Sequence, residues 1–290
     1  MTRQPTYAIV TPARNEAENL SRLADSVAAQ TRIPAQWVIV DNGSTDETAR
    51  VAEDLARAHD WVTLVRTPGE PLPVRGAPVV RAFNAGLHAL AQATDVVVKL
   101  DADLSFEPGH FEGLLAKFES DPTLGIAGGV CLEEERGTWR PQYTTRGHVR
   151  GAEKAYRRAC LEVVLPLEER MGWDGIDELK AAVNGWRTAS FAELPVKHHR
   201  KLGVREPRLS KWVIQGEMAY YMGYRPSYLV LRALYRGLRE AAAVAMIWGY
   251  ARSALRREPR VSDRDVRAWL RREQGLRRLG LRAREALGRQ

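Results

Sequence analysis

The first hundred residues alternate short apolar runs with stretches in which apolar residues recur every three or four positions. Tyr7 to Thr11, Trp37 to Val40, Trp61 to Val65 and Asp95 to Leu100 read as strands. Glu16 to Ala29, Asp46 to Ala58 and Pro78 to Gln92 read as helices, with Ser44 and Thr45 offering capping hydroxyls at a helix start. Such alternation predicts βαβ units and a doubly wound α/β architecture, a mixed, mostly parallel sheet flanked by helices. Ligands of these sheets bind beyond the carboxyl ends of the strands, so the residues that follow a strand are the ones to examine.

The pattern changes towards the C-terminus. After a short strand at Leu194-Pro195-Val196, the residues Leu231, Leu234, Leu238, Ala241, Ala245 and Trp248 recur at helical spacing, with Arg232, Arg236 and Arg239 on the other side. One amphipathic helix over Tyr228 to Arg257 is predicted. A second begins near Ser262, with Val266, Trp269 and Leu270 inward and Arg264, Arg267, Arg271 and Arg272 outward. The expected division is an α/β catalytic domain over 1–227 and a basic helical extension over 228–290.

The chain has 290 residues, 44% hydrophobic and 28% charged, which is ordinary for a soluble globular protein. No apolar run approaches the roughly 18 to 20 residues of a membrane-spanning helix. Cys131 and Cys160 are far apart, so neither a disulfide framework nor a zinc site is indicated. With no signal-like start, a reducing, cytoplasmic compartment fits best. The net charge of +8 is unevenly spread: Leu231 to Gln290 holds 16 Arg, no Lys and 6 acids, whereas residues 1–230 hold 28 basic and 30 acidic residues. The basic helices are expected to pack on the domain, to form a homodimer contact, or to lie on an anionic membrane surface at the inner face of the cell membrane. Specific nucleic-acid binding lacks a stacking platform or recognition motif.

Three strand ends carry polar clusters: Pro12-Ala13-Arg14-Asn15-Glu16, Asp41-Asn42-Gly43-Ser44-Thr45-Asp46, and Asp101-Ala102-Asp103. A strand-to-helix turn accounts for the second taken alone. Two carboxylates at the open end of a hydrophobic strand are costly unless something positive engages them, and a hard divalent cation such as Mg²⁺ or Mn²⁺ does so. A cation bridging phosphate oxygens would neutralise charge on a departing nucleoside diphosphate. No glycine-rich phosphate loop is present, which disfavours kinases and dinucleotide-dependent dehydrogenases.

Thr11 to Glu16, Asp41 to Asp46, Arg81-Ala82-Phe83-Asn84-Ala85-Gly86-Leu87 and Asp101 to Asp103, in this order, resemble the family 2 inverting glycosyltransferases of GT-A fold over roughly residues 6 to 200. The resemblance implies that Pro12, Ala13, Arg14 and Glu16 line a nucleotide pocket and that Asp41 meets the base or ribose. Arg81 and Asn84 would approach ribose and diphosphate. Within Asp101-Ala102-Asp103, Asp101 would contact ribose or donor sugar and Asp103 would coordinate Mg²⁺ or Mn²⁺, with His199 of Lys197-His198-His199-Arg200 completing the metal site. Gly172-Trp173-Asp174-Gly175-Ile176-Asp177-Glu178 occupies the place of the family's acidic pair at a helix start. There Asp177 is the first choice for general base, with Asp174 and Glu178 as rivals. The stretch Arg146 to Arg158, with His148 and Arg150, and Trp173 beyond it, would lie by the acceptor, or else form an exposed charged helix.

The implied activity is transfer of a sugar from a UDP or GDP type donor to a hydroxyl of a glycan or lipid-linked acceptor, in cell-envelope or exopolysaccharide synthesis. Transfer to a polyprenyl phosphate is the alternative. A sugar-nucleotide-binding protein without turnover, or a basic nucleic-acid-binding protein, is the non-enzymatic one.

Overall fold

The computed structural model describes residues 4–69, 76–142, 147–199, 208–238 and 240–275. Arg146, Arg200, Arg239 and the arginines after residue 275 lie outside them. The chain divides into two compact units, 1–200 and 201–290, so the break falls earlier than the expected 227/228.

In the first unit the elements run β1 (Tyr7–Ala13), α1 (Ala17–Ala28), β2 (Gln36–Asn42), α2 (Thr48–Ala58), β3 (Val62–Thr67), α3 (Ala77–His88), β4 (Val96–Leu100), β5 (Leu104–Ser105) and α4 (His110–Ser120). They continue with β6 (Leu124–Glu135), β7 (Thr138–Pro141), β8 (Glu153–Arg157), α5 (Arg158–Val164), α6 (Trp173–Val183) and β9 (Arg187–His198). One sheet of nine strands has the order β3-β2-β1-β4-β8-β6-β9-β5, with β7 paired to β6. Its first half is parallel, from local βαβ units. In its second half β8 is antiparallel to both β4 and β6, while β9 is parallel to β6 and antiparallel to β5.

Strands buried on both faces explain the continuous apolar runs. Ile9, Trp37, Ile39 and Val98 point to one side, where Leu20, Leu23 and Val27 of α1 and Phe111, Leu114 and Phe118 of α4 cover them. Val10, Val38, Val40 and Val97 point to the other, against Val80 and Phe83 of α3 and Leu161 and Val164 of α5. Gly86 of α3 belongs to this packing, since a Cβ there would collide with Val10.

Two local expectations need correction. Helix α2 starts later than predicted, and its entry is held by Asp46, whose carboxylate accepts from the Thr48 N–H at 2.9 Å, rather than by Ser44 or Thr45. The region Glu153 to Arg157 is neither an exposed helix nor a binding surface, because it forms the central strand β8, with Glu153 and Lys154 buried. Glu153 is kept there by His110 and by the Gly129 N–H at 2.6 Å.

The second unit contains α7 (Arg208–Tyr221), α8 (Pro226–Gly237), a 3-10 turn (Ala241–Val244), α9 (Ala245–Leu255) and α10 (Arg264–Glu273). The single helix expected over Tyr228 to Arg257 is therefore broken after Gly237. Its inward side is also different: Leu229, Ala233, Ala243 and Met246 are buried with Trp212 and Ala219 of α7. Small residues decide this. A Cβ on Gly216 of α7 would collide with the Met246 carbonyl, and one on Gly249 of α9 with the Val213 carbonyl, so the two backbones touch at their crossing. Helix α10 follows the spacing, with Val266 and Leu270 buried, and Asp263 caps it by accepting from the N–H groups of Asp265 and Val266 at 2.9 and 3.0 Å. Among the described residues no helix is long and apolar enough to cross a membrane.

Candidate active site

At the carboxyl ends of β1 and β2 two loops are stitched together. Ala13 and Asp41 are neighbours across the strand pair. Asn15, at a left-handed φ of 57°, accepts from the Thr45 N–H at 2.8 Å and donates its own N–H to the Ser44 hydroxyl at 3.0 Å. The Glu16 N–H donates to the Thr48 hydroxyl at 2.7 Å. Asp41 is buried and accepts from the Ser44 N–H at 3.1 Å, while Arg14 is exposed and Pro12 and Glu16 are half-buried. Gly43, at φ 68°, allows close approach to Gly69 after β3. The result is a rim tied by hydrogen bonds, on which Arg14 is exposed.

Lys99, Asp101 and Asp103 alternate along β4 and its extension. The positive group that engages Asp101 comes from the strand itself: buried Lys99 donates to the Asp101 carboxylate and to the Gly151 carbonyl. Desolvation, and then the nearby Asp103 charge, push the Asp101 carboxyl up, and the Lys99 ammonium opposes them. Asp103 Oδ2 lies 3.1 Å from Nε2 of His198, brought there by the pairing of β9 with β5. His198 replaces His199 in this position. His199 is turned to the Ser105 hydroxyl at 2.6 Å and edge-on to the Trp139 ring, with only its backbone N–H reaching the Asp103 carbonyl. Strand alternation sends the two imidazoles to opposite faces. Behind His198, Nδ1 is 4.0 Å from Glu133, which in turn is 3.6 Å from Arg150. Arg150 thus sits at the Asp103 end, where its buried Nη1 makes no hydrogen bond.

A cation held at about 2.1 Å by two donors at right angles separates them by about 3 Å, so the Asp103 and His198 atoms fit one edge of an octahedral Mg²⁺ or Mn²⁺ site. No group of three His, Cys, Asp or Glu residues among the described residues could enclose a cation. Further ligands would come from a bound diphosphate, as is usual for Mg²⁺.

The third part of the site is the first turn of α6, which begins at Gly172 with φ 85°. Asp177, the first choice for base, is corrected: its side chain is 0% exposed. One oxygen receives the Lys154 ammonium at 2.6 Å, the other the Tyr156 hydroxyl at 2.6 Å. Burial lifts its carboxyl to about 6, against the pull of Lys154. Both of its oxygens are thus engaged within the fold. Asp174, three residues earlier, is half-buried and accepts from the Gly151 N–H at 3.2 Å. Lys154 also donates to the Asp174 carbonyl and so fixes that turn. Trp173 is buried, with the Lys99 and Lys154 ammonium groups over its ring at 5.4 and 5.6 Å from the indole centroid. Glu178 is engaged as well, by His148 Nδ1 at 2.9 Å and the Val149 N–H at 2.7 Å. Burial alone would lower His148, but the hydrogen bond and charge of Glu178 outweigh it and the net shift is upward.

Arg81 lies on the exposed side of α3 and forms an ion pair with Glu169 at 2.5 Å, tying α3 to the segment before α6. Half-buried Asn84 is one turn further on. Both cysteines are buried and free, with thiols pushed up to about 12 by burial. Lys99 and Glu133 carry no role in the sequence reading, Lys154 and Tyr156 figure there only within the stretch Arg146 to Arg158, and His198 is the less favoured of the paired histidines. For Lys99 the available signal is a charge at the end of an apolar strand; Lys154, within Glu-Lys-Ala-Tyr-Arg, has no such signal.

Comparison with known proteins identifies the family and the fold. The family model described as glycosyl transferase family 2 matches residues 8–165. An uncharacterised glycosyltransferase of Nostoc sp. is 28% identical over 53% of the chain and 51% of its own length. A glucosyl-dolichyl phosphate glucuronosyltransferase of Haloferax volcanii is 29% identical over 44% of the chain and 38% of its own. The chain thus spans about half or less of these relatives. Among solved structures, a mannosyltransferase of Pyrobaculum calidifontis in complex with GDP-Man and Mn²⁺ superposes with TM-score 0.60 at 18% identity, covering 98% of this chain and 85% of that one. S. aureus TarS 1-349 in complex with UDP-GlcNAc gives TM-score 0.56 at 16% identity, over 73% and 64%. At such identities the likeness is one of fold, the mixed α/β GT-A fold.

Proposed function

The chain belongs to glycosyl transferase family 2, and from that membership we propose that it moves a sugar from a nucleoside diphosphate sugar to an acceptor hydroxyl by a single displacement with inversion. One residue carries the reading. Gly151 accepts from Lys99, the partner of Asp101, through its carbonyl and donates its N–H to Asp174, so the donor-side carboxylates and the candidate base are referenced to the same residue. It has no room for a side chain, since a Cβ would be 2.9 Å from Trp173 and 3.3 Å from Asp174.

In this reading Asp174 takes the proton from the attacking hydroxyl. Lys154, Asp177 and Tyr156 hold the turn beneath it. Asp41, Pro12, Ala13, Arg14 and Glu16 accommodate the nucleoside, and Asp101 the ribose or donor sugar. Arg150 faces the diphosphate. Asp103 and His198 would hold Mg²⁺ or Mn²⁺, which supplies Lewis-acid neutralisation of the leaving diphosphate. The GDP-Man and UDP-GlcNAc complexes of the structural neighbours support a GDP or UDP type donor. The Haloferax relative, whose name refers to a dolichyl phosphate, supports a lipid-linked acceptor in envelope glycan synthesis.

The test is a thermal-shift screen of UDP, GDP, dTDP and CMP with and without Mn²⁺, on the wild type and Asp103→Asn. Stabilisation follows occupancy. One nucleotide raising the melting temperature only with metal, and not in the variant, supports the reading. No response to any nucleotide would remove the assigned donor site.

A further inference from the structure

Large apolar residues expected along one face of the first C-terminal helix are exposed. Leu231, Leu234 and Leu238 along α8 are 48%, 54% and 85% exposed, and Val244 and Trp248 at the start of α9 are 45% and 60% exposed. The two stripes adjoin, because the Cβ position of Gly237 at the end of α8 is 3.4 Å from the Val244 side chain. The inward faces are already filled by Leu229, Ala233, Ala243 and Met246, so this ridge is left over after the helices have packed. A contiguous apolar ridge of this kind marks an interaction surface.

Charge identifies the occupant. Residues 226–257 contain six Arg and a single acid, Glu240, and residues 201–290 hold 21 basic and 8 acidic residues against 23 and 28 in residues 1–200. Arg256 and Arg257 are exposed at the end of α9, beside Leu255, which is itself exposed. Half-buried Arg232 and Arg236 flank the ridge on α8. Leu and Trp side chains that enter the acyl boundary, rimmed by arginines at headgroup level, are the pattern of an interfacial membrane element. A face meeting a second copy of this chain would bring the same arginines together.

We propose that the ridge Leu231–Leu234–Leu238–Val244–Trp248 is a docking surface for an anionic lipid bilayer, inserted to side-chain depth with the helices in the plane of the interface. The surface goes beyond the transferase reading and does not need it, since vesicle binding and sugar transfer are separate measurements.

The test is sedimentation of the full chain with vesicles of phosphatidylcholine alone and of equal phosphatidylcholine and phosphatidylglycerol, at low and high salt, alongside light scattering. The expected result is binding to the anionic vesicles, weakened by salt, and reduced about tenfold or more in Leu234→Glu/Leu238→Glu. The substituted positions are exposed, so the melting temperature should hold and report that the variant is folded. Brominated acyl chains should quench the wild type, and Trp248→Phe should remove most of that quenching. Failure to bind anionic vesicles overturns the proposal, as does binding that ignores both substitutions. A dimer that Leu238→Glu dissociates, without vesicle binding, would reassign the ridge to contact between copies.

Discussion

Lys99 and Lys154 stand directly opposite each other on antiparallel strands β4 and β8, both buried, with the Trp173 ring over both ammonium groups. Like charges in that position repel, so each is balanced by its own carboxylate, Asp101 for one and Asp177 for the other. Asp177→Asn should therefore act on stability, costing roughly 3 kcal/mol, because the buried Lys154 ammonium loses its nearest carboxylate and keeps only Glu178 at 3.3 Å. Asp174→Asn should leave the melting temperature unchanged and lower kcat roughly 10²- to 10⁴-fold. Melts and single-turnover rates on both variants check this. An inactive but fully stable Asp177→Asn together with an active Asp174→Asn would return the base to Asp177.

Gly151→Ala places a methyl group 2.9 Å from Trp173 and 3.3 Å from Asp174. The expected cost is about 1–3 kcal/mol of stability from overpacking. A loss of kcat larger than the loss of nucleotide affinity should accompany it. Isothermal titration with donor nucleotide, compared with turnover, separates the two.

His198→Gln should weaken the Mn²⁺ dependence of nucleotide binding on the order of tenfold or more, since it alters a donor atom against Asp103. His199→Gln, which loses contacts to Ser105 and Trp139 instead, should keep most of that dependence. Mn²⁺ titrations followed by thermal shift distinguish them.

The raised His148 sets a pH dependence with a definite sign. A histidine whose folded pKa exceeds its unfolded value of about 6.5 adds stability that is fully present below that value and is lost as pH rises through the folded pKa. Glu178→Gln removes the hydrogen bond to a charged carboxylate that raises it most, and leaves burial and the Lys154 ammonium, which lower it, opposed by Asp174 alone. The imidazole titration seen by NMR should move from above 6.5 in the wild type to below it in the variant.

Much of this architecture was written in local periodicity. The units from Tyr7 to Leu100 are parallel strands joined by amphipathic helices, and each announces itself within about thirty residues, so element type and the three polar strand ends could be read directly. Strand β8 could not. Glu-Lys-Ala-Tyr-Arg has the composition of a surface, and it is central only because His110, Asp177 and the helix α6 arrive from elsewhere to neutralise it. The choice between His198 and His199 likewise turned on which face of β9 meets β5, a register that no single segment contains. In the second unit the spacing identified helices, but the inward face was chosen by Gly216, Gly249 and Ala233, whose smallness lets backbones touch. Large apolar residues were left outside, where a rule of hydrophobic burial would not put them.

The pairing of β9 with β5 has a consequence for how the protein is made. The strands β1 to β4 close through short loops, but Asp103 meets His198 only across 95 residues of chain. Loop closure of that length is slow compared with the local units. The pocket proposed for the nucleoside is thus built from local contacts and the Asp103–His198 pair from a distant one, so the proposed metal affinity is tied to the docking of the last strand.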